Sequence, residues 1–530
     1  MKRLVVVAAA ASVMVGGLLA APAVAAPASA GVPAGTIAWG PCSSSSLQKA
    51  GAQCGYLKVP LDYSKPSGKK IEIAVSRVKH KVPDSQYQGI MIVNPGGPGG
   101  SGLGLSRLGQ NVPNHAGDAY DWIGFDPRGV GSSKPALSCL PNYFSYDRPN
   151  YIPTTPGLER IWLQRSKAYA DACGRNNGAL LNHMKTTDSA RDMDAIRKAL
   201  GKQQINYYGF SYGTYLGQVY STLFPKRVRR MVLDSNVDPR NVWYKANLNQ
   251  DVAFDRNIKI WFTWLAKYDS VYHLGSSEAA VQKLFYQQRD KLDRHAAGGL
   301  IGGDEWTDIF LEAGYYRMTW VDLGNAFAGW IHHHDWKTLK AEYDSTSGIG
   351  NDNGFAVYLA VQCSDVQWPQ HWNKWRRDNW RTYAKAPFET WDNAWYNAPC
   401  LYWPAKPGIP VHVNGKHVAG ALLIDETLDA ATPYEGSLEV RKLFPKASLI
   451  AEPGGATHAD SLWGDACVDN KIADYLATGA LPPRIPGNHA DVLCAPNPDP
   501  VPGASAAAAP QQASQAAAVP QSLRPTVMVR

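Results

Sequence analysis

Residues 205–224, INYYGFSYGTYLGQVYSTLF, place a serine between two kinds of secondary structure. Residues 205–208 are typical of a buried strand, and the residues after Ser211 follow a helical pattern that ends at Pro225. Between them, GFSYG (residues 209–213) matches G-x-S-x-G, in which the glycines relieve crowding at a sharp turn that exposes the serine hydroxyl. The helix N-terminus also favours negative charge that develops there. The stretch predicts an elbow that carries a nucleophile, with a plain tight turn as the alternative.

Strand-like runs recur between helical ones on both sides of this elbow. They cover residues 71–78, 90–93, 122–125, 231–233, 421–424 and 448–451. Such alternation favours an α/β fold with a mainly parallel sheet. Between residues 241 and 403 the pattern becomes helical, and 14 of the 18 tryptophans lie in that segment. We therefore predict a large, mostly helical, Trp-rich cap inserted into one α/β domain.

The predicted organisation has five parts. They are a signal peptide (1–30), the first part of the α/β core (36–240), the cap (241–408), the last part of the core (409–495) and a disordered Ala/Pro/Gln-rich tail (496–530). Lys2 and Arg3 precede an apolar run and small-residue cleavage sites, as in a secretory signal. We expect a secreted, extracellular protein that is not bound to the membrane after cleavage; an N-terminal membrane anchor is the alternative.

The composition narrows the class of protein further. The chain has 53 basic and 45 acidic residues, scattered without basic runs, which argues against a nucleic-acid partner. Eight cysteines fit an oxidising compartment but allow 105 pairings. Short loops favour sequential neighbours, 42 with 54, 139 with 173, 363 with 400 and 467 with 494. No C-x-x-C or H-E-x-x-H occurs, so we predict no metal site and no cofactor.

A nucleophilic serine needs a base, and the base needs an acid to orient it. The order expected after an elbow of this kind is Ser, then Asp or Glu, then His. The loop DETLDAATPY after residues 421–424 offers three acids, and EPGGATHAD after the next strand offers His458 in a Gly-rich context. The candidate acids are Asp425, Glu426 and Asp429, with Asp234 and Asp238 as rivals after an earlier strand.

The glycine-rich loop NPGGPGGSG (94–102) has two interpretations. It contains G-x-G-x-x-G after a strand-like run, and Asp126 follows where a dinucleotide site has its ribose ligand. The other interpretation is an oxyanion loop, whose N–H groups face a reacting carbonyl. Pro95 and Pro98 remove N–H donors that a phosphate cradle would need, which favours the oxyanion loop.

Several motifs together carry a family resemblance. They are NPGGPGGSG, GFDPRGVGSS, GFSYGTYLGQVY, LDAATPYEG and GGATHAD, with CGYLKVPLDY before them and the cap phrase AVQCSDVQWP between. The sequence resembles the secreted bacterial tripeptidyl aminopeptidases, relatives of prolyl iminopeptidase among the α/β-hydrolase serine peptidases. The resemblance implies Ser211 as nucleophile, Asp429 as acid and His458 as base. It implies an oxyanion hole at the backbone N–H groups of Gly97 and Tyr212, and makes Asp126 and Arg128 a structural loop.

The resemblance also implies a substrate, a peptide with a free N-terminus from which tripeptides, or tetrapeptides, are released through an acyl-enzyme. Cap acids would hold the ammonium group, and the candidates are Asp365, Asp352, Glu312 and Glu305; a solvated surface position is the alternative for each. Gln362 stands where similar enzymes can carry Glu, which puts the anchor in doubt. We expect a monomer. A capped esterase acting on small acyl substrates and a non-catalytic, Trp-rich binding protein are the alternatives.

Overall fold

Ten strands form one sheet in this computed structural model, which describes residues 35–503. The strands are β1 (Gly40–Pro41), β2 (Gln53–Pro60), β3 (Lys70–Val78), β4 (Ile90–Asn94), β5 (Asp121–Phe125), β6 (Ile205–Phe210), β7 (Val228–Asp234), β8 (Ala421–Glu426), β9 (Ala447–Glu452) and β10 (Val492–Leu493). Their order is β1-β2-β3-β5-β4-β6-β7-β8-β9-β10. β1, β2, β3 and β5 pair antiparallel, and all pairs from β5 to β10 are parallel. The predicted α/β fold with a mainly parallel sheet is confirmed.

The helices cover both faces of the sheet and fill the segment between β7 and β8. They are α1 (Ser45–Lys49), α2 (Pro156–Asn177), α3 (Thr186–Ala199), α4 (Tyr212–Leu223), α5 (Tyr244–Lys267), α6 (Asp269–Tyr272), α7 (Glu278–Leu292), α8 (Gly303–Tyr315), α9 (Trp320–His333), α10 (Trp336–Thr346), α11 (Asn353–Asp365), α12 (Trp372–Tyr383), α13 (Thr390–Asn397), α14 (Glu435–Leu443) and α15 (Ala466–Thr478). Short 3₁₀ turns connect several of them.

The central strands are buried on both faces, which explains why their sequences are continuous apolar runs. In β6, Tyr207 packs into the core on one face and Tyr208 into the core on the other. By contrast β2, which the sequence does not predict as a strand, buries Leu57 and Val59 but exposes Lys58 between them. Because β2 lies near the edge of the sheet with one face in solvent, its residues alternate between buried and exposed and do not form an apolar run.

The helices between β7 and β8 build a core of their own. Large aromatic side chains of α5, α8 and α9 pack there, among them Trp261, Trp306 and Phe327. Most of the tryptophans of this segment are buried, and Trp261, Trp264, Trp306 and Trp320 belong to this core.

Four disulfides join residues 42–54, 139–173, 363–400 and 467–494, so the pairing of sequential neighbours is confirmed. Among residues 35–503 no helix combines the length and apolar character needed to cross a membrane. The predicted signal peptide and residues 504–530 lie outside the described residues.

The predicted disordered tail begins too early at residue 496. Asp499 pairs with Arg317 at 3.0 Å, and the Pro500 carbonyl accepts a hydrogen bond from Trp264 Nε1 at 2.9 Å. Residues up to 503 therefore have a defined place against the helices between β7 and β8.

Candidate active site

Ser211 lies at the turn from β6 to α4, with φ 56° and ψ −129°. A non-glycine residue takes a positive φ only where the surroundings impose it. Here the Ser211 N–H donates to the Asp234 carbonyl at 3.0 Å, and the Ser211 carbonyl accepts from Thr214 N–H at 2.8 Å and Thr214 Oγ1 at 2.6 Å. These bonds fix the conformation that lifts the hydroxyl off the end of the strand.

Both glycines of G-x-S-x-G are required by space. A Cβ at Gly209 would lie 2.6 Å from the Gly213 carbonyl oxygen, and one at Gly213 would lie 2.5 Å from the Asn94 carbonyl oxygen. The elbow therefore has the close backbone approach that the motif predicts.

Asp429 and His458 are brought together from the carboxyl ends of β8 and β9. His458 Nδ1 lies 2.7 Å from Asp429 Oδ2, and both side chains are buried. Asp429 also accepts hydrogen bonds from the N–H groups of Ala431 at 2.8 Å and Thr432 at 3.0 Å. Burial alone would raise the pKa of Asp429, but His458 and these donors outweigh it and hold the pKa below its usual value. The carboxylate stays ionised and orients the imidazole.

His458 is held from the cap side as well. Its backbone N–H donates to the Tyr315 carbonyl at 2.9 Å, and the two rings lie 5.8 Å apart. Nε2, the atom that would take a proton from Ser211, is buried and makes no hydrogen bond to any of residues 35–503. The ring is thus oriented through Nδ1, while Nε2 keeps its capacity to accept.

The rival acids have other partners. Asp234 accepts from Ser461 N–H at 3.0 Å and Ser461 Oγ at 2.6 Å, and burial raises its pKa to about 6. Asp238 holds the Arg240 guanidinium at 2.7 Å, and Asp425 accepts from Ser437 Oγ at 2.5 Å. Glu426 accepts from the Thr457 N–H. Of the candidate acids, the structure places Asp429 against His458.

The glycine-rich loop lies directly against the elbow. A Cβ at Gly96 would lie 2.9 Å from Ser211 Cβ and 3.0 Å from the Tyr212 nitrogen. The Gly97 N–H donates no hydrogen bond to residues 35–503, and Tyr212 is the first residue of α4, where no intrahelical acceptor exists for its N–H. Gly97, Ser211 and Tyr212 line one cavity. Two backbone donors thus border the nucleophile, as an oxyanion hole needs.

Asp126 and Arg128 belong to the support of this loop. Asp126 is buried and accepts from Ser101 Oγ at 2.6 Å and from the Gly102 N–H at 3.0 Å. Arg128 forms a buried ion pair with Asp192 at 2.7 Å. Asp126 is therefore occupied inside the protein, which removes the ribose-ligand interpretation.

The cavity above Ser211 measures about 590 Å³ and is walled by the elbow, the loop after β8 and helices α5 and α11. Its polar lining includes amide and phenol groups, of which Asn247, Tyr358 and Gln362 form one patch. Two acids line it, Asp238 and Glu435, beside four cationic residues, Arg240, Lys245, Arg256 and Lys385.

Comparisons with known proteins agree with this geometry. A family model described as the alpha/beta hydrolase fold matches residues 89–294, and one described as TAP-like protein matches residues 386–490. The chain is 40% identical over 481 residues to the tripeptidyl aminopeptidase of Streptomyces lividans, with 88% of each chain covered. The chain belongs to the tripeptidyl aminopeptidase family of α/β hydrolases. The membership implied by the sequence motifs is confirmed.

Relatives of lower identity carry other names. Serine protease Hip1 of Mycobacterium tuberculosis (strain H37Rv) is 30% identical over 476 residues, which cover 84% of this chain and 90% of that protein. Carboxylesterase B of the same strain is 29% identical over 459 residues, 82% of this chain and 85% of that protein.

The four cap acids expected from the family resemblance do not line the cavity of this tripeptidyl aminopeptidase family member. Asp365 is buried and accepts from Thr186 N–H at 2.7 Å and Trp243 Nε1 at 3.1 Å, and burial raises its pKa to about 6. Asp352 accepts from Tyr169 Oη at 2.8 Å and Cys139 N–H at 2.9 Å.

The other two acids lie on α8. Glu305 forms a buried ion pair with Arg148 at 2.7 Å, and Glu312 is half-buried away from the cavity. None of the four acids is among the residues that line the nucleophile's cavity, and Asp365, Asp352 and Glu305 take part in internal hydrogen bonds or an ion pair.

Two residues of α5 support the acid's loop without any sequence signal. Asn257 Nδ2 donates to the Leu428 carbonyl at 2.9 Å, and Arg256 donates to the same carbonyl at 2.5 Å. Arg256 also lines the cavity. A helix more than 170 residues earlier thus holds the turn that carries Asp429, which no local pattern could indicate.

Proposed function

We propose that the protein is a secreted serine exopeptidase that releases tripeptides, or tetrapeptides, from the free N-terminus of peptide substrates. The observation that carries the proposal is Ser211 in the lining of a helix-covered cavity, together with the buried Asp429–His458 pair, in a chain 40% identical to a tripeptidyl aminopeptidase. The four disulfides support export, because disulfides persist in oxidising compartments.

The chemistry follows from these roles. His458 takes the Ser211 proton as the hydroxyl oxygen attacks the scissile carbonyl, and then protonates the leaving amine. The N–H groups of Gly97 and Tyr212 stabilise the negative charge on the carbonyl oxygen. Water activated by His458 then releases the acyl group, and Asp429 stabilises the imidazolium in both steps.

None of the four cap acids lines the cavity, which supports an ammonium site built from other groups. Asn247 Oδ1 accepts from Tyr358 Oη at 3.3 Å, and Asn247 Nδ2 lies 3.4 Å from Gln362 Oε1. We assign the ammonium group to this amide and phenol patch, whose oxygens accept N–H donors without a formal charge. A neutral anchor gives a weaker preference for a free amine than a carboxylate would, since hydrogen bonds to charged groups are the stronger ones.

The proposal is tested with chromogenic di-, tri- and tetrapeptide amides, each with a free and an N-acetylated terminus. We expect the free tripeptide amide to have the highest kcat/KM and acetylation to lower it. Ser211→Ala should abolish hydrolysis and leave the melting temperature close to that of the wild type. An active Ser211→Ala variant, or equal rates for free and acetylated substrates, would contradict the proposal.

A second candidate is an esterase, favoured by the 29% identity to a protein named Carboxylesterase B. The same triad hydrolyses esters, so p-nitrophenyl acyl esters are assayed in parallel. The esterase becomes the better description if esters are cleaved and every peptide amide is left intact.

A further inference from the structure

Three buried carboxyl groups meet beneath the loops that carry the acid and the base. β8 and β9 are parallel neighbours, and their last residues, Glu426 and Glu452, are register partners. Asp460 reaches the same place from the loop that follows His458. One carboxylate oxygen from each of the three residues lies within 4.8 Å of the others. Their exposed fractions are 3%, 0% and 4%, so water covers almost none of the cluster.

The cluster has too few donors for its oxygens. Neither Oε1 nor Oε2 of Glu452 has a hydrogen-bond partner among residues 35–503. No Lys, Arg or His in that range forms an ion pair with any of the three acids, and the neighbouring Arg317 pairs with Asp499 instead. Burying three carboxylates side by side is costly: burial raises the pKa of Glu452 to about 10 and that of Glu426 to about 8, although the charge of Arg317 acts to lower the pKa of Glu426. The cluster requires either bound protons or a bound cation.

We propose that Glu426, Glu452 and Asp460 form a calcium-binding site. An all-oxygen, anionic ligand set selects a hard cation. Three oxygens within 4.8 Å of one another can all contact one Ca²⁺ ion at about 2.3–2.6 Å, because oxygens on opposite sides of such an ion are about 4.6–5.2 Å apart. Mg²⁺ binds at shorter distances and keeps several waters, which suits a buried three-carboxylate cluster less well.

The site would connect the two catalytic loops. Glu426 precedes Asp429 by three residues, and Asp460 follows His458 by two. A hydrogen bond already links the two loops: the Leu428 N–H donates to the Gly455 carbonyl at 2.8 Å. A calcium ion bound here would offset most of the negative charge of the cluster and hold both loops without touching the substrate. Its ligands are separated by 26 and 8 residues along the chain, which explains why the sequence predicts no metal site.

The test measures calcium binding by the whole protein, independently of hydrolysis. The protein is treated with EDTA and dialysed into metal-free buffer, and CaCl₂ or MgCl₂ is then titrated by calorimetry. We expect one calcium site per chain, with magnesium binding at least tenfold more weakly. Differential scanning fluorimetry should show a rise of about 2 °C in melting temperature with calcium in about 50-fold excess over its Kd, given the size of the chain.

Variants assign the site to this cluster. Glu452→Gln and Asp460→Asn should each lose the calcium response. Asp304→Asn is the matched control, because Asp304 is also a buried acid with a raised pKa but lies in α8 outside the cluster, and it should keep the response. If one cluster variant does not fold, the calcium response of the other variant and the wild-type titration test the proposal. Absence of calcium binding in the wild type, or an unchanged response in both cluster variants, would overturn the proposal and leave protons as the neutralising species.

Discussion

Ser211 keeps its strained backbone because the neighbouring backbone leaves it no room to relax. Gly96 packs so closely on the elbow that a side chain at this position would overlap the nucleophile's turn. The glycine-rich loop can approach Ser211 only because residue 96 has no Cβ. The room for an oxyanion hole therefore depends on the absence of a side chain at Gly96 as well as on the G-x-S-x-G motif.

Gly96→Ala should lower kcat by about 100-fold, because the new Cβ would meet the Phe210 carbonyl oxygen at 2.6 Å and displace Ser211 or Gly97. Gly51→Ala is the matched control. Gly51 also has a positive φ, 69° compared with 99° at Gly96, but a Cβ added at Gly51 would have no atom within 4 Å. Both variants should lose about 1–2 kcal/mol of stability from backbone strain. An equal kcat for the two would contradict the role given to the loop. Steady-state kinetics with the tripeptide amide and thermal melts measure the two effects.

Asp429→Asn should lower kcat by about 10⁴-fold, because an amide at that position no longer stabilises the imidazolium or selects its tautomer. Asp234→Asn changes a buried acid at the end of β7 that contacts Ser461 rather than His458, so we expect kcat within about tenfold of the wild type. Single-turnover and steady-state assays of the two variants make the comparison. Similar losses in both would reopen the assignment of the orienting acid.

At the scale of elements, α11 brings Tyr358 and Gln362 to the cavity and is tied at its far end by the Cys363–Cys400 disulfide. The bond closes a 37-residue loop through α12 and α13, so it also fixes the part of the segment that lies beyond α11. The cavity lining and the covalent constraint thus meet on one helix turn.

Replacing Cys363 and Cys400 together by Ser should lower the free energy of unfolding by about 4 kcal/mol and raise KM by about tenfold, since α11 loses its anchor. The control is the same double change at Cys42 and Cys54, a 12-residue loop remote from the cavity, which should cost about 3 kcal/mol and leave KM unchanged. Denaturant unfolding and KM for the tripeptide amide are the measurements. A KM change of the same size in both variants would refute the specific role of α11.

Gln362→Glu should increase the preference for a free over an acetylated N-terminus by about tenfold, because a carboxylate binds ammonium more strongly than an amide oxygen does. The ratio of kcat/KM for the two substrates is the readout. Tyr358→Phe is the companion variant, because it removes the hydroxyl that donates to Asn247 and should weaken the same preference. If the ratio of kcat/KM for free and acetylated substrates changes in neither variant, the substrate ammonium group binds at another position.

Some elements and site residues were predictable from sequence because their signals are local. The doubly buried strands are apolar runs, and Ser211, Asp429 and His458 each follow such a strand within a motif. The internal partners of the cap acids were not predictable, because Asp365 and Glu305 have the same local sequence pattern whether they face a cavity or an internal partner. Whether an acid faces a cavity or an internal partner depends on burial and on contacts with residues more than 100 positions away in the chain. The same holds for the support of Asp429 by α5.

At the scale of the whole molecule, the helices between β7 and β8 cover the nucleophile, and the cavity of about 590 Å³ is of a size that suits a short peptide segment. We expect a flexible tail of about 12 residues fused before a stable domain to be shortened in steps of three, while the same tail inserted in a surface loop of that domain is cleaved at least 100-fold more slowly, because no chain end can enter. Trimming should stop when the remaining tail is too short to span from Ser211 to the folded domain. Mass spectrometry of the fusion proteins over time reads out both the step size and the end point. Equal cleavage of tail and loop would show that the helices admit an internal chain segment, and the protein would then be an endopeptidase.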